Sequence, residues 1–153
     1  MSLEHALSLL KPLAHRVADL DLNDADGAAA VLNAEHPLDS LHAVYQALKV
    51  GQTEGWLTPK QATPTLKFGR LSKPSPDLAG HSVDVVDMEG AGAAHTHPNG
   101  EVSLCWAESG DPTFCGHGPG WVVVPPGSRH VPEVGGGRML IVYFLPDGAM
   151  VWG

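Results

Sequence analysis

The chain lacks several features that mark secreted, membrane-spanning and nucleic-acid-binding proteins. Its 153 residues include only two cysteines, Cys105 and Cys115, which are too few for a disulfide framework and favour a reducing compartment. No apolar run is long enough to cross a bilayer, and the N-terminus has neither the basic flank nor the cleavage site of a secretory signal. These absences predict a cytoplasmic protein without a membrane partner, and the length fits one domain.

Basic residues are also few. The 9 lysines and arginines are outnumbered by 17 acidic residues, which gives a formal net charge of −8. No basic cluster is present to neutralise phosphates, so nucleic acid is not a predicted partner. Residues 135–137 are three successive glycines, but they lack the following lysine, serine or threonine and helix of a phosphate loop. We therefore interpret this segment as a turn.

The first third of the chain carries the apolar spacing of amphipathic helices. Leucines and a valine recur at steps of three and four over residues 3–20, which predicts a helix that Pro12 kinks or divides in two. A second helix is predicted over residues 28–34. A third begins near Asp39 and ends at Gly51, interpreted as its C-terminal cap. The apolar faces are interpreted as core-packing surfaces that cover the rest of the fold or a partner subunit.

After Thr58 the pattern changes to short strands. Alternating or continuous apolar segments bounded by glycine and proline predict strands at residues 67–71, 81–88, 101–107, 121–124 and 139–145. Short strands joined by turns, with no intervening helices, predict a jelly-roll barrel. The expected fold class is therefore α+β, mainly β. A helical segment, residues 1–57, would pack on a barrel domain, residues 58–153, as one structural unit.

Three histidines and a glutamate are the strongest chemical signal. His95 and His97 are two residues apart, so an extended segment places both on one face. A turn at residues 98–100 then brings Glu101 back at the start of the next strand. His130 follows a second proline- and glycine-containing turn. Imidazole and carboxylate ligands suit borderline divalent ions, so the four residues predict a metal site.

Other polar residues are candidates for contacts around this site, and each has a plainer interpretation. An arginine offers a planar fork for a substrate carboxylate, but Arg129 can equally pair with a surface acid. His117 can equally be a solvated loop residue, and nothing in the sequence lowers the pKa of Cys105, which is expected to be inert. The candidate acid–base groups and substrate contacts are Glu101, Glu108, His117, Glu133, Arg70, Arg129, Arg138 and Tyr143.

The two histidine segments resemble the motifs of the cupin superfamily. The first motif is matched by Gly90, His95, His97 and Glu101, and the second by Gly120, Pro125, Gly127 and His130. The spacing between the motifs is stretched, and no asparagine follows His130 where the family pattern often has one. The resemblance implies a barrel with a divalent ion, whose identity as zinc, iron, manganese or nickel stays open.

A closer resemblance extends over most of the chain. Several segments are similar to the 4-hydroxylaminobenzoate lyase family, a small bacterial family: residues 68–76, 85–88, 95–101, 118–121, 122–124, 125–132, 137–140 and 143–146. The resemblance implies conversion of 4-hydroxylaminobenzoate to 3,4-dihydroxybenzoate (protocatechuate) with release of ammonia, in bacterial nitroaromatic degradation. The substrate would be a small aromatic acid.

The residues allow more than one mechanism and more than one function. In one hypothesis the metal on His95, His97, Glu101 and His130 assists departure of the N–O oxygen, Arg129 or Arg70 holds the carboxylate, and Glu108, His117 or Glu133 is the base. In another, Glu101 and a histidine act as acid and base without metal. The alternative functions are a metal-dependent cupin oxygenase or isomerase and a non-catalytic cupin binding module. A homodimer is expected from the apolar helix stripe and outer sheet faces.

Overall fold

Three α-helices precede the sheets in the computed structural model, which describes residues 2–153. They are α1 (Leu3–Ala18), α2 (Ala25–Glu35) and α3 (His42–Glu54), and a 3-10 turn at Leu38–Leu41 leads into α3. All three helices predicted from the apolar spacing are present. Between residues 2 and 153, no helix has both the length and the apolar character needed to cross a membrane.

Helix α1 continues through Pro12, so the alternative of two shorter helices is wrong. Its first turn is capped by Ser2, whose side chain accepts a hydrogen bond from the His5 amide at 3.1 Å. Pro12 has no amide proton to donate to the carbonyl of Ser8, four residues earlier. Both residues are exposed, so water can hydrogen-bond to this carbonyl and the helix remains intact.

Helix α3 extends beyond the predicted end at Gly51. It ends at Glu54, and Gly55 is the C-cap, with a left-handed φ of 91°. Gly51 instead makes room for the ring of Trp56, because a Cβ at this position would lie 2.5 Å from the indole. A buried contact, and not a helix end, accounts for this glycine.

The nine strands within residues 2–153 form two antiparallel sheets. They are β1 (Lys60–Thr63), β2 (Leu66–Ser72), β3 (His81–Ala91), β4 (His95–His97), β5 (Glu101–Phe114), β6 (Gly120–Val124), β7 (Ser128–His130), β8 (Glu133–Pro146) and β9 (Val151–Trp152). The larger sheet has the order β1-β2-β3-β8-β5-β6, and the smaller has the order β7-β4-β9. The mainly β fold with preceding helices is confirmed. In the described part of the chain, the two sheets do not join into a closed barrel.

The larger sheet has two covered faces. One face packs against the helices and shares a core with them, formed by residues such as Leu10, Leu48, Val85, Leu104 and Phe144. The other face carries a second buried cluster that includes Met88, Cys105, Phe114, Ile141 and Tyr143. The division into residues 1–57 and 58–153 as one structural unit stays a prediction.

Helix α2 contacts the edge of the larger sheet through one side-chain amide. Asn33 accepts a hydrogen bond from the Trp121 amide at 3.0 Å and donates one to the Trp121 carbonyl at 3.3 Å. The Trp121 indole donates to the carbonyl of His36 at 2.8 Å. Gly120 allows this close approach, because a Cβ there would lie 2.7 Å from the Asn33 side-chain oxygen.

The glycine segment at residues 135–137 lies within β8, so its interpretation as a turn is wrong. Gly136 and Gly137 have positive φ angles of 79° and 157°, and the pairing of β8 with β5 is irregular here. A Cβ on Gly137 would lie 2.0 Å from the carbonyl oxygen of Ser109. The glycines therefore permit the two long strands to approach at a bulge.

Candidate metal centre

A short strand and its turn bring the predicted ligands together. His95 and His97 are buried on the same side of β4, and the following turn contains Gly100 with a φ of 84°. The Gly100 amide donates to the His97 carbonyl at 3.2 Å, and β5 then begins with the buried Glu101. Strand β7 pairs antiparallel with β4, with His130 directly opposite His95. The predicted alternation therefore places all four side chains in one region.

The three histidines meet through their Nε2 atoms. The distance from His97 Nε2 to His130 Nε2 is 3.0 Å, and that from His130 Nε2 to His95 Nε2 is 3.1 Å. Their possible ligand atoms all lie within 4.8 Å of one another. Glu101 Oε2 lies 3.4 Å from His97 Nε2 and 3.9 Å from His130 Nε2. We refer to the three histidines and Glu101 as the ligand cluster.

Burial keeps the imidazoles neutral. It lowers the pKa of His95 and of His130, and together with the two neighbouring imidazoles it lowers the pKa of His97 to about 3. The Nδ1–H group of His95 donates to the Ala93 carbonyl at 3.0 Å, which leaves the Nε2 lone pair directed at the other histidines. Burial also raises the pKa of Glu101 to about 8. Neutral histidines are the form that binds metal.

The donor atoms fit a divalent ion. Nitrogen ligands at about 2.1 Å from one ion and at right angles to each other lie about 3.0 Å apart, which matches the Nε2 separations. Within residues 2–153, Glu101 Oε2 is buried without a hydrogen-bond partner, as a carboxylate oxygen facing a cation would be. The histidine triad can thus hold a metal ion, with Glu101 beside it.

A cavity of about 610 Å³ adjoins the ligand cluster and includes His95 and Glu101 in its wall. Its volume is within the range of small-molecule sites. Both sheets contribute to it, and the lining is largely apolar. Besides His95 and Glu101, polar groups are contributed by Lys60, Arg70, Asp84 and Tyr143. Apolar groups are contributed by Phe68, Met88, Leu145, Met150 and Trp152 among others.

Comparison with known families identifies the relatives of this chain. The family model of 4-hydroxylaminobenzoate lyase, PnbB, matches residues 8–152. The chain belongs to this family. A protein of Nocardioides sp. (strain LMS-CY) named 4-hydroxylaminobenzoate lyase is 29% identical over 161 residues, covering 95% of this chain and 89% of the relative. A protein of Pseudomonas putida with the same name is 30% identical over 115 residues, covering 64% of this chain and 65% of the relative.

Solved structures give weaker similarities. The DMSP lyase DddQ from Ruegeria pomeroyi superposes with a TM-score of 0.49 at 19% identity, over 72% of this chain and 67% of that protein. A cupin-like protein from Thermotoga maritima gives a TM-score of 0.46 at 16% identity, over 63% of this chain and 85% of that protein.

Arg70 is the predicted substrate-binding arginine that lines the cavity of this 4-hydroxylaminobenzoate lyase family member. Its Nε donates to Asp84 Oδ1 at 2.6 Å, and Nη2 lies 3.4 Å from Oδ2. Ser82 also donates to Asp84 Oδ2, at 2.8 Å. Asp84 therefore fixes the guanidinium plane while engaging only two of its five N–H groups. An arginine held this way can still receive a carboxylate.

Arg129 lies on the wrong side of its strand for the predicted role. It pairs with Thr96 across β7 and β4, between the pairs that contain His130 and His97. Since successive side chains point to opposite faces, Arg129 points away from the ligand cluster. Its Nε donates to the main-chain oxygen of Gly153 at 3.0 Å. Arg129 therefore holds the last strand in place, and the expectation that it binds the substrate carboxylate is corrected.

Glu108 and Arg138 lie on the helix-covered face of the larger sheet. Glu108 is bound by the Tyr45 hydroxyl and by Lys49 Nζ, the latter at 2.6 Å. Arg138 Nε lies 3.1 Å from Asp87 Oδ1, whose carboxylate also accepts a hydrogen bond from α3. Both predicted roles, base and substrate contact, are corrected because the sheet separates these groups from the ligand cluster.

His117 and Glu133 are exposed at the ends of strands β5 and β8. In the described chain neither belongs to the group of ligand atoms formed by the three histidines. Tyr143, in contrast, lies inside the cavity, and burial raises its pKa well above the usual value. Its hydroxyl therefore stays protonated and can donate a hydrogen bond. Of the predicted polar contacts, the structure brings Arg70 and Tyr143 to the cavity.

Three residues near the site were not predicted from the sequence. Asp84 is an acidic residue at an alternating position of a valine-rich strand, a signal that it faces a polar site. Trp152 lies in the two-residue strand β9, which is too short for a periodicity signal. Cys115 Sγ lies 3.9 Å from His130 Nδ1. Burial raises the pKa of Cys105, in agreement with the prediction that this thiol is inert.

Proposed function

We propose that the protein is a 4-hydroxylaminobenzoate lyase. It would convert 4-hydroxylaminobenzoate and water to 3,4-dihydroxybenzoate and ammonia, with no net redox change. The family match over residues 8–152 carries this proposal. The ligand cluster beside a cavity that contains an oriented arginine supports it. The proposal includes a role in nitroaromatic degradation in the bacterial cytoplasm.

The reaction needs three kinds of assistance. The hydroxyl oxygen must leave the nitrogen, water must add to the ring, and the resulting imine must be hydrolysed to release ammonia. An acid at the N–O oxygen, a base for water and a cation for the carboxylate meet these needs. All three must come from groups at the same cavity.

The ligand cluster is the proposed source of the acid function. A divalent zinc, iron, manganese or nickel ion held by His95, His97, His130 and Glu101 would act as a Lewis acid at the N–O oxygen and activate water. The neutral imidazoles supply three lone pairs without competing protons. Glu101, buried beside them, would supply the oxygen ligand. It is also the remaining acid–base candidate, because Glu108 lies across the sheet and His117 and Glu133 are not among the residues that line the cavity.

Arg70 is the proposed clamp for the substrate carboxylate. It lies on β2, and Glu101 lies on β5, three strand positions away in the order β2-β3-β8-β5. This separation is on the order of 14 Å between backbones, and the two inward-pointing side chains shorten it. The substrate likewise carries its carboxylate and its nitrogen at opposite ends of a para-substituted ring, so the two groups can meet Arg70 and the ligand cluster at the same time. Tyr143, on β8 between them, would donate a hydrogen bond to the bound substrate.

Metal-free catalysis is the second mechanism that the site supports. Because burial raises the pKa of Glu101 to about 8, its carboxyl group is protonated at neutral pH when no cation is bound. A protonated Glu101 could donate to the leaving hydroxyl, with a neutral histidine as base. Metal removal separates the mechanisms, since only this one retains ammonia release after chelation.

The decisive test is ammonia release under strictly anaerobic conditions. Purified protein, loaded separately with each of the four candidate ions, is given 4-hydroxylaminobenzoate, and ammonia and 3,4-dihydroxybenzoate are quantified. Equal amounts of both products are expected from the wild-type protein, and much less from the His97→Ala variant. Release of neither product would refute the lyase proposal. In a separate aerobic assay, oxygen consumption with an aromatic acid would then favour the alternative oxygenase, and binding without turnover would favour a binding module.

A homodimer remains part of the proposal. The apolar stripe of α1, which first suggested it, is largely covered within the chain, because Leu10, Leu13 and Val17 belong to the shared core. The remaining support is the exposed Val151 on β9 of the smaller sheet and the exposed Val131, which directly follows β7. Light scattering at micromolar concentration is expected to give twice the 16.1 kDa of one chain, and a mass of one chain would contradict the dimer.

A further inference from the structure

Trp152 occupies an unusual position at the mouth of the cavity. Strand β9 pairs antiparallel with β4, which places Trp152 opposite His95, with their ring centroids 5.5 Å apart at an interplanar angle of 80°. The strand is held by Arg129, whose Nε donates to the Gly153 oxygen, and by the Gly153 amide, which donates to Ala94 at 3.0 Å. These contacts fix the indole beside the ligand cluster.

The indole is exposed although its surroundings are apolar. Trp152 is 66% exposed, whereas Trp106 and Trp121 are 7% and 3% exposed. On the larger sheet, Phe68 lines the same cavity and is 36% exposed. An aromatic side chain from each sheet therefore contributes open apolar surface to one cavity, an arrangement typical of a site for a flat apolar group.

We propose that Trp152 is a specificity-determining residue that packs against the aromatic ring of the substrate. Its position favours a planar aromatic acid over a saturated one, with the carboxylate at Arg70 and the para substituent near the ligand cluster. This inference rests on the proposed function for the identity of the substrate. It adds a direct contact with the ring, which neither the ligand cluster nor Arg70 supplies.

Binding of two acids that differ in the ring provides the test. The probes are 4-hydroxybenzoate, which has an aromatic ring, and cyclohexanecarboxylate, which has a carboxylate on a saturated ring. Calorimetry measures their dissociation constants for the wild type, Trp152→Ala, Trp152→Phe and Val151→Ala. Val151→Ala is the matched control. Val151 is also exposed on β9, but it pairs with Thr96. Since His95 and His97 on either side of Thr96 face the site, Thr96 and Val151 face away from it.

The expected result is a selective loss. Trp152→Ala should weaken 4-hydroxybenzoate binding about 3- to 10-fold, the range given by one aromatic contact. It should weaken cyclohexanecarboxylate binding by a much smaller factor. Trp152→Phe should restore most of the aromatic preference, and Val151→Ala should bind both acids as the wild type does. Equal losses for the two acids, or no loss for 4-hydroxybenzoate, would overturn the proposal.

Fluorescence provides an independent readout. Trp152 is far more exposed than Trp106 and Trp121, and the partly buried Trp56 is present in both proteins, so acrylamide should quench the wild-type emission more strongly than that of Trp152→Ala. Saturating 4-hydroxybenzoate should remove this difference by covering the indole. Unchanged quenching in the presence of bound ligand would overturn the inference. It would also be overturned if Trp152→Ala changed the oligomeric mass in light scattering but bound the ligand as the wild type does.

The failure of this inference differs from failure of the proposed function. If the wild type releases ammonia from 4-hydroxylaminobenzoate but Trp152→Ala binds both acids normally, only the role of Trp152 is wrong. If the wild type binds 4-hydroxybenzoate through Trp152 but releases no ammonia, only the lyase proposal is wrong. Binding and turnover are therefore measured on the same metal-loaded protein.

Discussion

Metal binding should release a proton from Glu101, and the number of protons can be derived from the structure. Burial raises the pKa of this carboxyl group to about 8, so about 0.9 of the metal-free molecules carry the proton at pH 7. The carboxylate must lose this proton to face a cation. His95, His97 and His130 have lowered pKa values and carry little charge at pH 7, so they release little.

Calorimetry measures this release directly. Zinc is titrated into metal-free protein at pH 7 in several buffers with different ionisation enthalpies, and the dependence of the heat on that enthalpy gives the number of protons released. The wild type should release about 0.9 proton per chain more than the Glu101→Gln variant, whose amide has nearly the same size and cannot ionise. Between pH 6 and 7.5 the wild-type affinity should rise almost tenfold per pH unit relative to that of the variant.

The variant separates two sources of protons. A water molecule bound to the metal also loses its proton near neutral pH, and it would do so in both proteins. Only the difference between the two proteins is assigned to Glu101. If both release the same number of protons, Glu101 is already ionised in the metal-free protein or does not face the ion, and the reasoning from its burial is refuted.

Three further predictions test neighbouring groups. His97→Ala should lose bound metal in elemental analysis after dialysis, because one of three converging nitrogens is missing, while His117→Ala keeps it. Arg70→Lys should raise the KM for the aromatic acid about tenfold, since an ammonium cannot replace the planar fork, whereas Arg138→Lys, on the helix-covered face, should leave it unchanged. The folded pKa of Glu101, about 8, exceeds its usual value of 4.5, so the folded state binds more protons between these values and stability falls as pH rises. In denaturant titrations of chelator-treated proteins, the free energy of unfolding of Glu101→Gln should therefore rise relative to that of the wild type by up to about 4–5 kcal/mol between pH 4 and pH 8. A difference in unfolding free energy that does not change with pH would contradict this.

The ligand cluster could be predicted from the sequence because its geometry is local. His95, His97 and Glu101 need only an extended segment, a tight turn and the two-residue alternation of strands. His130 was harder to place, since its pairing with His95 joins segments 35 residues apart. The resemblance of residues 120–130 to the second cupin motif assigned His130 to the site, which the spacing of nearby residues does not do.

The wrong assignments have two physical causes. Arg129 was expected at the site because it adjoins His130, but adjacent residues of a strand face opposite sides, and the same alternation that grouped the histidines excludes it. For Arg138 the alternation was not informative, because both faces of β8 are buried and apolar over residues 139–145. Which face meets the cavity depends on the register of β8 with β3 and β5, and on the helices that cover the other side.

The contact between Asn33 and Trp121 has a consequence for association between molecules. The side-chain amide hydrogen-bonds to both main-chain groups of Trp121, much as a neighbouring strand would, and so occupies part of the β6 edge. At the opposite edge of the six-stranded sheet, all four residues of β1 are exposed. An edge of this kind is a template for an additional strand, and Lys60 is the kind of charged residue that discourages such addition. Extension of this sheet by another chain, in an ordered assembly or in aggregation, is therefore directed to β1.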